Sequence, residues 1–63
     1  MKLRLSDPAY RDRLAAFLED LGHPARAVGG GVELATAIPE EELEVYLRVW
    51  SVLEPGVAVN VDA

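Results

Sequence analysis

The chain has 63 residues, no cysteine, one histidine and a net charge of −5, so we expect one small domain, residues 1–63, without disulfide bonds or a cysteine or histidine zinc site. An acidic chain is repelled by nucleic-acid phosphates and by anionic lipid, which argues against nucleic-acid and membrane partners. The start of the chain lacks the apolar run of a signal peptide, so we expect a cytoplasmic protein. We also expect no cofactor.

The first residues predict a strand followed by a capped helix. Leu3 and Leu5 alternate with charged residues, which is the period of a strand with one buried face. Asp7 can accept hydrogen bonds from first-turn amides, Pro8 suits the first helical position, and Gly22 suits the C-terminal end. The helix between them carries one apolar stripe. That stripe consists of Tyr10, Leu14, Phe17, Leu18 and Leu21.

A glycine run separates two short strands. Residues 25–28 form a weak strand, and residues 32–36 alternate in the same way on the other side of Gly29, Gly30 and Gly31. Because glycine supplies the positive φ of a tight turn, the run predicts a β-hairpin. It precedes a strand and lacks the Lys-Ser/Thr pair of a phosphate-binding loop. It remains a candidate ligand loop for another class of molecule.

The second helix is too apolar for a domain of this size. Pro39 opens it, and glutamates fill its first turn, where the helix dipole favours acids and where they fan too widely to converge on a cation. One apolar stripe suits the core: Leu43, Tyr46, Leu47, Trp50 and Leu53. A second lies beside it: Val45, Val49 and Val52. We expect these valines, with the ring edge of Trp50, to form a partner surface, with Val49 near the two-fold axis of a homodimer.

The order of elements predicts the fold class. Val57, Val59 and Val61 alternate with polar or small residues and predict a last strand. The resulting β-α-β-β-α-β order is typical of an α+β, ferredoxin-like fold, a four-stranded antiparallel sheet in the order 4-1-3-2 with two helices on one face. The predicted helical core consists of Leu14, Phe17, Leu18, Leu43, Leu47 and Trp50.

Two stretches resemble small prokaryotic signal-transducing domains of the nitrogen-regulatory and ACT type. Residues 18–25 are similar to that family's helix end and Gly-apolar-Pro turn, and residues 32–44 to its strand, Val-Pro turn and acidic helix start. The chain departs from the family at His23, Tyr46 and Trp50 and in its full C-terminal strand. The resemblance implies the same half-sandwich fold and a regulatory role, without an established ligand.

No catalytic set is visible. His23 lies at a helix end, and no Ser, Cys or carboxylate is placed in the sequence to complete a set with it. We therefore expect a non-enzymatic interaction or regulatory module that acts as a homodimer through the second helix. The alternative is an ACT-like sensor that binds an amino-acid-sized ligand at a dimer seam near residues 29–31.

Overall fold

Four short strands and two α-helices make up residues 1–62, the part of the chain that this computed structural model describes. The fold is α+β, as predicted. The elements in chain order are β1 (Lys2–Leu5), a 3₁₀ turn (Pro8–Tyr10), α1 (Arg11–Asp20), β2 (Ala25–Val28), β3 (Gly31–Leu34), α2 (Glu40–Leu53) and β4 (Val59–Asp62). Within residues 1–62, no helix is long and apolar enough to cross a membrane.

The strands form one antiparallel sheet in the order β2-β3-β1-β4. Leu3 of β1 lies opposite Val32 of β3 on one side and opposite Val61 of β4 on the other. Leu3 and Leu5 are buried, whereas Lys2 and Arg4 are exposed. Because successive side chains point to opposite faces of a strand, one face of β1 is apolar and packed and the other is polar and solvated.

Both helices contribute side chains to the same core. Leu14 and Leu18 of α1 and Leu43 and Trp50 of α2 are buried together with the apolar face of the sheet, which confirms four of the six predicted helical core residues. The other two, Phe17 and Leu47, are partly buried and pack against it. The buried residues are Leu3, Leu5, Leu14, Ala15, Leu18, Val32, Leu34, Ile38, Leu43, Trp50 and Val57.

The ends of α1 follow the predicted capping chemistry. The Ala9 amide donates to Asp7 Oδ1 over 3.1 Å. Residues 8–10 form a 3₁₀ turn rather than the first turn of the α-helix, which begins at Arg11. At the other end Gly22 adopts φ +91° and donates to Glu19 O, and the His23 amide donates to Leu18 O. These two bonds satisfy the last carbonyls of the helix and turn the chain toward β2.

The hairpin forms as predicted, with a shorter turn. Gly29 and Gly30 alone make the turn, and Gly29 takes the positive φ of +56°. Gly31 is the first residue of β3 and is buried, so it belongs to the sheet and not to the loop. A Cβ at this position would overlap the carbonyl oxygen of Leu3 on β1. Glycine is therefore required by the close approach of two strands.

Two members of the predicted apolar stripes are more exposed than expected. Leu53 is 60% exposed, and Leu21 is also exposed. Leu53 is the last residue of α2 and Leu21 the C-cap of α1. The 3.6-residue period predicts that both side chains face the core. Each residue, however, lies where its helix ends, and its side chain is exposed there.

Candidate functional site

The exposed face of α2 carries three valines side by side, which we call the valine surface: Val45, Val49 and Val52. They are 54%, 47% and 78% exposed, respectively. Their i, i+4, i+7 spacing aligns them along the helix, away from the buried Leu43 and Trp50. The predicted second stripe is thus left uncovered by the rest of residues 1–62.

Trp50 does not belong to this surface. Its side chain is only 2% exposed, and its indole Nε1 donates to the Val57 carbonyl over 3.2 Å. The Phe17 ring packs against it with a centroid distance of 5.7 Å. Trp50 thus joins α2 to α1 and to the segment that leads into β4. The ring edge that the sequence assigns to a partner surface thus lies in the core of this structure, held by burial and by the indole hydrogen bond.

Charged residues lie on both sides of the valine surface. Glu41 and Arg48 are seven residues apart, about two turns, and therefore lie on the same side of the valines. Glu42 and Tyr46 lie on the other side. Within residues 1–62, neither Glu41 nor Arg48 takes part in an ion pair, and both are exposed. Glu44, one turn before Arg48, is exposed on the same side, so this edge carries two acids and one base.

A polar cluster that sequence reasoning missed joins the end of α1 to the start of α2. His23 Nε2 lies 2.9 Å from Glu42 Oε2, and the His23 ring packs on the Tyr46 ring with a centroid distance of 5.6 Å. The two partners are nineteen residues apart in the sequence. Only the packing of the two helices brings them together, and no local spacing signals it.

The phenol of Tyr46 is perturbed by this cluster. Burial raises its pKa above the ordinary value of 10.0, and the hydrogen bond to the Glu42 carboxylate and the negative charge of Glu42 raise it further. His23, Glu42 and Tyr46 therefore engage one another across the helix junction. The arrangement ties the end of α1 to the start of α2.

The glycine turn borders a shallow depression on the sheet. The depression holds about 200 Å³ and is lined in part by Gly29, Gly30 and Gly31. This volume is below the roughly 300–1,000 Å³ typical of small-molecule sites. The Gly29 carbonyl already accepts a hydrogen bond of 2.7 Å from Arg11 Nη1. The predicted ligand loop is thus a turn held against α1, with its first carbonyl occupied.

The solvated face of the sheet carries charges of both signs, as the alternation in β1 and β4 predicts. Arg4 lies 3.1 Å from Asp62, and Arg26 lies 3.1 Å from Glu33. These exposed pairs link β1 to β4 and β2 to β3. Among residues 1–62, no group of three or more His, Cys, Asp or Glu could hold a metal ion.

Comparison with family models, with curated proteins and with solved structures finds no match for this chain.

Proposed function

We propose that this protein is a small non-enzymatic interaction or regulatory module that acts as a homodimer through the valine surface. The observation that carries the proposal is the row of three valines, each about half exposed or more, on one helix. A valine left in water forgoes roughly 1.5–3 kcal/mol of burial, and contiguous exposed apolar patches mark interaction sites. The two-fold dimer is the commonest closed assembly and covers such a patch on both copies at once.

We further propose that the fold is ferredoxin-like. The strand order β2-β3-β1-β4, antiparallel throughout, supports this, since it is the predicted order 4-1-3-2 followed from the opposite edge. The polar face of the sheet and the shared core of both helices support it as well. A regulatory role fits a module whose polar groups serve to hold elements together.

The substitution Val49→Glu tests the proposed interface. It places a charge in the middle of the valine surface, so we expect a folded protein whose mass by light scattering is half that of the wild type. Val28→Glu is the matched control, because Val28 is also exposed but lies on β2, away from α2. The control should keep the mass of the wild type.

Two results would overturn the homodimer. One is a wild-type protein that stays monomeric at high micromolar concentration. The other is a Val49→Glu variant that loses its circular dichroism at every concentration, which would make Val49 a core residue.

The ACT-like sensor remains the alternative, on the depression beside the glycine turn. Lys2 and Arg4 also line it and could bind the carboxylate of an amino acid. A ligand that binds the folded state raises the melting temperature by mass action. A thermal-shift screen of the free amino acids would support the sensor if one compound raised the melting temperature in a concentration-dependent way. No shift with any of them would count against it.

A further inference from the structure

We draw no further inference here: the strongest candidate, the valine surface along the exposed face of α2, belongs to the site already described, and nothing in the structure of residues 1–62 shows what covers it.

Discussion

At the scale of single residues, Leu18 lies at the centre of the core, with 0% of its side chain exposed. Leu18→Ala removes buried methyl groups and leaves a cavity, so we expect the free energy of unfolding to fall by about 2–5 kcal/mol, most of what a small domain has. Denaturant titration measures the loss. Leu53→Ala is the control, since Leu53 is largely exposed and its truncation should change the value by about 0.5 kcal/mol or less.

If Leu18→Ala lowered the free energy of unfolding only slightly, the apolar stripe of α1 would not face the core as described. Equal losses in both variants would show that the exposed end of α2 is covered by something outside this structure. The two variants therefore test the buried position of Leu18 and the exposed position of Leu53 by the same quantity, the free energy of unfolding.

Tyr46 makes stability depend on pH in alkaline solution. Burial and Glu42 raise its pKa above 10.0, so the folded protein holds the phenolic proton more tightly than the unfolded chain does. As pH rises past about 10, the unfolded state loses its proton first, and the free energy of unfolding falls until the folded pKa is passed. Ultraviolet absorbance during alkaline titration of Tyr10→Phe, which leaves Tyr46 as the sole tyrosine, should show this raised pKa.

Glu42→Gln should lower the pKa of Tyr46 without returning it to 10.0, because burial is the largest cause of the shift and persists in the variant. Glu41→Gln is the neighbouring control and should leave the titration unchanged. If Glu42→Gln had no effect, the carboxylate would not lie against the phenol, and the cluster at the helix junction would be wrong.

At the scale of elements, the pairing of β1 with β3 depends on Gly31. A Cβ there would overlap the Leu3 carbonyl, so Gly31→Ala must push the strands apart, and we expect a loss of about 1–3 kcal/mol. Gly30→Ala meets nothing within 4 Å, and the φ of Gly30 is not positive. It should leave stability unchanged or raise it by less than about 1 kcal/mol. Thermal or urea unfolding compares the two, and equal effects would contradict the close approach of β1 and β3.

The α2 helix shows which features of the structure the hydrophobic period of the sequence can predict and which it cannot. The spacing alone separates buried Leu43 and Trp50 from exposed Val45, Val49 and Val52, because a helix has a fixed angle per residue. It misplaces Leu53, since the angle says nothing about where the sheet beneath the helix ends. It also cannot find the contact of His23 with Glu42, which depends on the packing of two helices.

At the scale of the whole molecule, the order and type of the elements follow from residues that begin or end an element locally. These are Asp7 and Pro8, Gly22, the glycine turn and Pro39. The exact bounds of the strands do not. Gly31 belongs to β3 because β1 pairs with it, and β4 begins at Val59 rather than Val57 because Val57 turns into the core beside Trp50. Register across the sheet is a property of distant segments, so a single sequence offers no local signal for it.

The position of β4 beside β1 has a consequence for how the protein is made. Arg4 and Asp62 are 58 residues apart in the sequence, and Ser6 and Ala58 continue the contact through two hydrogen bonds, in which the Ser6 amide donates to the Ala58 carbonyl and the Ala58 amide donates to the Ser6 hydroxyl. Closing so long a loop costs conformational entropy before any contact between β1 and β4 has formed to offset that cost. During synthesis, the hairpin and α1 can form while β1 still lacks a neighbour on one edge, and that edge stays open to other chains until residues 59–62 have emerged from the ribosome.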